Sequence, residues 1–388
     1  MQKYFVTYPL RLVYVGSFFF AINNALTSYV NSSYLKSLIG NDHVGFVYGI
    51  AAFISLITLS LLPYALDKFG IYKTLLFALA VSLLSLVTVS LTHNPITGIF
   101  MFIAYFALVN LVSYCSDILV EAYSKDSSTG RTRGLYLTFI NIGWILSPFF
   151  AGLMAERGFS FVYGYAAFLL IPFIAIIVIG FRRFQDPAYS KPSVRATLSR
   201  VFKEKKILII FSINFLLNFF YSWMVVFTPL YLHEIKGIPW GTIGIIFTIM
   251  LLPFVLFDFA VGKIVDRIGE KYILMTGFLL MGFFAMRFGF SSFTSASSIL
   301  IPASILFMTR VGASMVETAS ESYFFKQISA EDSETIGLFR AMSPLAYMIG
   351  PALATLLLFQ VDMSLLYPIL SLFLLAGAYL SNEIPATH

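Results

Sequence analysis

Asn110, Tyr114, Asp117 and Glu121 stand at i, i+4, i+7 and i+11 in an apolar stretch, and Arg310, Ser314, Glu317 and Glu321 repeat that spacing 200 residues later. On a helix this spacing places each set on one face. Each stripe carries two carboxylates about one turn apart, which repel when both are ionised and can therefore share a proton. Asp258 adds a solitary acid. An ionisable group near the centre of a membrane helix costs ~2.5–3.5 kcal/mol on insertion scales, so these side chains must face protein or water. Proton coupling is the chemistry expected of Asp117, Glu317 and Asp258, with a hydrogen bond to a neighbouring helix as the alternative for Asp258. Glu121 and Glu321 are expected to pair with bases of nearby turns, Lys68 or Lys73 and Arg267 or Lys271, and so to gate. Arg310 has two possible roles, neutralising Glu317 on its own face or binding an anionic ligand, and neutralisation is preferred. Asn23, Asn24, Asn110, Asn141, Asn214, Asn218, Tyr221, Trp223 and Tyr347 have the types to line a polar cavity or to tie helices together. With no nucleophile beside a base, no metal cluster and no phosphate loop, catalysis is not expected.

The elements that must position these residues follow from composition. The 388 residues are 59% hydrophobic and 11% charged, with 42 Phe and 22 Tyr, and the mean hydropathy is +0.87. A water-soluble domain of that composition would expose large apolar patches, so an integral membrane protein is expected. Twelve runs are long enough to cross a ~30 Å hydrocarbon core as helix: about 9–34, 43–66, 73–92, 96–121, 134–155, 161–181, 207–232, 241–263, 272–290, 299–322, 337–358 and 364–381. Lys3 and Arg11, ahead of most of the first run's apolar residues, resemble a secretory signal, but Asn23 and Asn24 interrupt that run, so it reads as a retained span. With the N-terminus in the cytoplasm, about 20 bases fall on that side and only Lys36, Arg157 and Lys236 in the opposite loops. The net charge of +6 therefore reports topology rather than nucleic-acid binding. The single cysteine, Cys115, excludes an intrachain disulfide. His43, His93 and His233 are expected in solvated outer loops rather than on a metal.

The twelve runs divide into two sets of six around a basic stretch, 191–206, giving expected domains 1–190 and 207–388. A charged turn is written twice. "GKIVDRIGEK" (262–271) follows the eighth run and "PYALDKFGIYK" (63–73) the second, aligning Asp67, Lys68, Gly70 and Lys73 with Asp266, Arg267, Gly269 and a base near Lys271. "GLYLTFINIGWILSP" (134–148) likewise returns as "GLFRAMSPLAYMIGP" (337–351). The offsets grow in order along the chain, as duplication followed by small insertions produces.

On these motifs the chain resembles the major facilitator superfamily over essentially its whole length. "GKIVDRIGEK" matches that family's loop signature with Glu270 in place of a base, while the first copy is degenerate, with Pro63 for the glycine. The resemblance implies an all-α membrane fold of two pseudo-symmetric six-helix bundles, with gating assigned to Asp67, Lys68, Gly70, Lys73, Gly262, Asp266, Arg267, Gly269 and Lys271. "GWILSPFFAG" (143–152) is similar to the family's antiporter motif at Gly143, Pro148 and Gly152, with Ser147 and Ala151 replacing two glycines. That similarity tips the expectation towards proton-driven export of a lipophilic small molecule by alternating access. A proton-coupled symporter importing a sugar, amino acid or organic acid is the rival, and a non-transporting receptor or scaffold is the rival of another class. No cofactor is expected, the proton gradient being the energy source. The expected partners are a small-molecule cargo and membrane lipid, with no nucleic acid. The expected setting is a monomer in the inner or plasma membrane with both termini cytoplasmic.

Overall fold

The computed structural model describes residues 8–40, 43–123, 129–186, 194–293, 299–327 and 333–384, with backbone alone at 129–134, 194–198, 259 and 333. All regular structure among them is helical. In the first half the order is α1 (Tyr8–Ser28), α2 (Asn31–Ile39), α3 (Val44–Leu91), α4 (Pro95–Ala122), α5 (Thr129–Ala155) and α6 (Phe159–Gly180). The second half follows with α7 (Val194–Lys203), α8 (Lys205–Leu230), α9 (Trp240–Leu251), α10 (Pro253–Leu256), α11 (Asp258–Ile268), α12 (Glu270–Gly289), α13 (Leu300–Gln327), α14 (Ser333–Leu358) and α15 (Leu366–Asn382).

Ten of these helices, counting the end of α8 with the π-helical turn Tyr231–Ile235 that extends it, are long and apolar enough to cross a membrane. The 48 residues of α3 would span roughly 72 Å as one straight helix, more than twice a hydrocarbon core. Gly70 interrupts it with φ 74 and ψ 166, so α3 supplies two crossings. The eighth apolar run is also broken, since α9–α10 and α11 meet at a 47° bend. The bend falls after Leu256, and Pro253, which withholds an N–H and crowds the preceding turn, opens the short α10 just before it. Counted this way the described residues supply twelve crossings. Helix starts carry local signals too: the Asn94 side chain caps α4 by accepting from the N–H groups of Ile96 (3.0 Å) and Thr97 (3.2 Å), with Pro95 next in line.

Two compact units emerge. One contains residues 1–38 and 50–191, the other 39–49 and 192–388. In the first, α1 packs against α4, α5 and α6. Asn23 ties this cluster together, donating to the Ala166 carbonyl (2.6 Å) and accepting from the Tyr105 hydroxyl (2.8 Å). In the second, α12 packs on α13 and α15, and α14 on α8. Residues 39–49 belong with this unit because the start of α3 lies against α14, with the Gly45 N–H donating to Thr355 Oγ1 (3.2 Å). The basic stretch 191–206 is largely helical, in α7, and the last of it begins α8; residues 191–193 lie outside the described residues.

Candidate functional site

The second unit gathers the richest polar cluster. Its scaffold is α13, pressed closely on α12 where Gly277 and Gly312 meet; a side chain at either would run into the other's carbonyl. That crossing fixes Arg310 two residues before it, and helical spacing then sets Ser314, Glu317 and Glu321 along the same face. Facing them, α8 contributes Phe220 and Tyr221, and the break between α10 and α11 contributes Asp258.

Two of the three carboxylates take a hydroxyl partner. Tyr221 donates to Glu317 Oε2 (2.7 Å) and Ser314 to Asp258 Oδ1 (2.5 Å). Glu317 is exposed and Asp258 half-buried. An exposed carboxylate on a membrane helix requires water beside it rather than acyl chains.

Arg310 differs from the expected arrangement. It does not pair with Glu317. It is 2% exposed, and its Nε and Nη1 are buried with no hydrogen-bond partner among the described residues. Its guanidinium carbon lies 4.9 Å from the Phe220 ring centroid and 5.1 Å from that of Tyr221. Aromatic faces attract a cation electrostatically but accept none of its in-plane N–H bonds, and each unsatisfied buried donor costs roughly 1–3 kcal/mol. The Tyr221 hydroxyl takes the place at Glu317 that the sequence assigned to Arg310.

The remaining acid of the stripe, Glu321, pairs with Arg340 on α14 (2.6 Å) rather than with Arg267 or Lys271. The expected pairing erred because it considered only bases of the charged turn, and Arg340 comes from a different helix, far along the chain from that turn. On α4, Asn110 donates to Ser55 Oγ (3.0 Å), Asp117 is half-buried, and exposed Glu121 lines a depression with Tyr123 and Arg183. No contact between Glu121 and Lys68 or Lys73 is found among the described residues.

The two charged turns share one backbone. Gly269, with φ 83 and ψ 162, repeats the Gly70 conformation at the matched position. A side chain at Gly70 would also collide with the Asp186 carboxylate, which accepts from the Ile71 N–H (2.7 Å). Asp67, Lys68, Lys73, Asp266 and Arg267 are exposed and Lys271 is half-buried. Gly262 leaves ordinary space: a methyl group there would have Thr318 Cγ2, at 4.0 Å, as its nearest neighbour beyond its own helix.

Two residues at these turns escaped sequence reasoning. Asp186 closes the first. Glu270 is fully buried at the second, ion-paired with Lys326 (2.6 Å) and accepting from Ser322 (2.9 Å). Its signal was present: an acid where the motif has a base calls for a partner of opposite sign.

The amide and aromatic candidates divide by burial. Asn23 is buried with both ends of its amide engaged, Asn214 donates to the Phe339 carbonyl (3.0 Å) and Trp223 to the Gly350 carbonyl (2.8 Å), which are ties between helices. Asn24, Asn141, Asn218 and Tyr347 are half-buried. Asn218 donates to the backbone and side-chain oxygens of Asn214. On α5, Gly143 faces Ala21 and Ile22 of α1, Ser147 returns a hydrogen bond to the Gly143 carbonyl, and Pro148 and Gly152 are buried.

A family model described as Major Facilitator Superfamily matches residues 13–332 and 241–386. An uncharacterised MFS-type transporter of Methanocaldococcus jannaschii is 23% identical over 246 residues, which is 60% of this chain and 60% of that one, so the match spans less than two thirds of the curated relative. Among solved structures, the nucleoside transporter NupG superimposes with a TM-score of 0.77 at 13% identity, covering 96% of this chain and 98% of that one. A point mutant of NupG gives 0.75 at 16% identity with the same coverage.

Proposed function

The chain belongs to the major facilitator superfamily, and on that premise we propose that it is a proton-coupled carrier working by alternating access, in which Asp258 and Glu317 take up and release the coupling proton. The observation that carries this reading is the pair of hydroxyl-held carboxylates on facing helices, Tyr221 to Glu317 and Ser314 to Asp258. A hydroxyl donates to an ionised carboxylate and accepts from a protonated one, so each acid can change protonation without losing its partner. Asn24, Asn110, Asn141, Asn218 and Tyr347 are proposed as further cargo-lining residues, and Asp117 as the protonatable group of the first half. Asp67, Lys68, Gly70, Lys73 and Glu121, with Asp266, Arg267, Gly269, Lys271 and Glu321, are proposed to open and close the cytoplasmic side. The setting proposed is a plasma membrane, with both termini inside and the protein working as a monomer.

Two coupling directions follow from different observations. Symport of a polar small molecule is favoured by the buried Arg310 beside two acids, a costly arrangement for a lipophilic cargo. The likeness in fold to a nucleoside transporter agrees with it. Antiport of a lipophilic molecule is favoured by Gly143, Pro148 and Gly152 on α5. Gly143 spends its close approach on α1, which leaves the motif less weight. Proteoliposomes with an internal pH reporter separate them: cargo added outside acidifies the lumen under symport and alkalinises it under antiport. Asp258→Asn and Glu317→Gln should each abolish the cargo-dependent signal, and a full signal in both variants would end the proton assignment.

A further inference from the structure

Among the described residues, Arg310 is a buried cation whose Nε and Nη1 have no hydrogen-bond partner. The acids that could neutralise it are each engaged elsewhere, Glu317 by Tyr221, Asp258 by Ser314 and Glu321 by Arg340. The other elements packed on this part of α13 bring no anion: α9 contains no titratable residue, and the acid of α12, Glu270, sits at the far end of α13 in its ion pair with Lys326. What holds the guanidinium is the rings of Phe220 and Tyr221, which secure its position and leave Nε and Nη1 unfilled.

We propose that Arg310 is the receptor for an oxyanion carried by the cargo, so that the transported molecule is a small anion that travels with a proton. This deepens the carrier reading above and rests on it. An oxyanion supplies what the rings cannot, charge-assisted acceptance of in-plane N–H groups. The neighbouring acids link it to protons. With Asp258 and Glu317 both ionised, the cluster is net negative and repels an anion; one proton makes it neutral and a second makes it positive. Anion affinity therefore rises as pH falls, which is the linkage a proton and anion symporter needs.

The test uses the purified full chain in lipid nanodiscs, with thermal unfolding followed against benzoate, phenyl phosphate and neutral benzamide at acidic and alkaline pH. At least one of the two anions should raise the unfolding temperature with concentration, more strongly at acidic pH, while benzamide does not; which anion does so assigns carboxylate or phosphate chemistry. Arg310→Met, which keeps the stem and removes the charge, should weaken that response at least about tenfold. Arg310→Lys, which keeps charge without the planar donor array, should fall between and serves if the methionine variant does not fold. The proposal is overturned if neither anion binds, if benzamide binds equally well, or if the variant that folds retains wild-type affinity. Loss of cargo-driven proton movement with Arg310-dependent anion binding intact would instead remove the carrier reading and spare the site.

Discussion

Tyr221 is the residue on which the cluster turns, because its ring meets Arg310 while its hydroxyl holds Glu317. Tyr221→Phe separates the two roles. The ring contact survives, and Glu317 loses its donor at a cost of about 1 kcal/mol. The expected outcome is an unfolding temperature close to wild type with a displaced pH profile of cargo-coupled proton flux, read in proteoliposomes. An unchanged profile would mean that the hydroxyl only fills space. This part of the site was half legible in sequence. Helical spacing placed Arg310, Ser314, Glu317 and Glu321 on one face, because that depends only on the pitch of one helix. Their partners were not legible, since Tyr221 and Asp258 arrive from other helices and no local rule says which hydroxyl reaches which acid. The nearest opposite charge in sequence was the wrong guess for Arg310.

At the scale of elements, the charged turns make two contrasting demands. Gly70 and Gly269 adopt a positive φ that costs a side-chain-bearing residue roughly 1–3 kcal/mol, so Gly269→Ala and Gly70→Ala should lower the unfolding temperature of the purified protein. Gly262→Ala should not, because a methyl there meets only ordinary contact. The loop signature contains the positions of all three glycines, and the structure puts the conformational requirement at Gly70 and Gly269 rather than at Gly262. The α12–α13 junction gives a sharper test. Lys326→Met takes the half-exposed cation from the buried Glu270 carboxylate, which keeps the Ser322 hydroxyl, a loss of about 1–3 kcal/mol, and Glu270→Gln in the same chain should restore most of it. Additive losses in the double variant, measured by thermal unfolding in detergent, would show that the pair is not a coupled unit. Helix ends were readable where the signal was local, as at Asn94 and Pro95. The break after Leu256 was not, since the nearby Pro253 is of a type tolerated in membrane helices whose neighbours satisfy the freed backbone groups.

Over the whole molecule, duplication was the strongest signal in the sequence, and its most direct structural counterpart is the shared backbone of Gly70 and Gly269, 199 residues apart. The all-helical class and its spans were legible because bilayer thickness and backbone hydrogen bonding leave a membrane chain few choices. Orientation rests on a separate argument, the distribution of Lys and Arg, and it can be tested independently of cargo. Cys115 is the single cysteine and is buried, so Cys115→Ala gives a background without a thiol and buries no new polar group. Cysteines placed one at a time at Lys73 and Lys271 should be shielded from a membrane-impermeant maleimide in intact cells and react once the cells are opened. Cysteines at Lys36 and Lys236 should react in intact cells. The reverse pattern would invert the topology, put the charged turns outside, and reverse the direction in which proton-coupled movement is drawn. Labelling at all four positions in intact cells would mean that the bias in basic residues does not set the orientation of this chain.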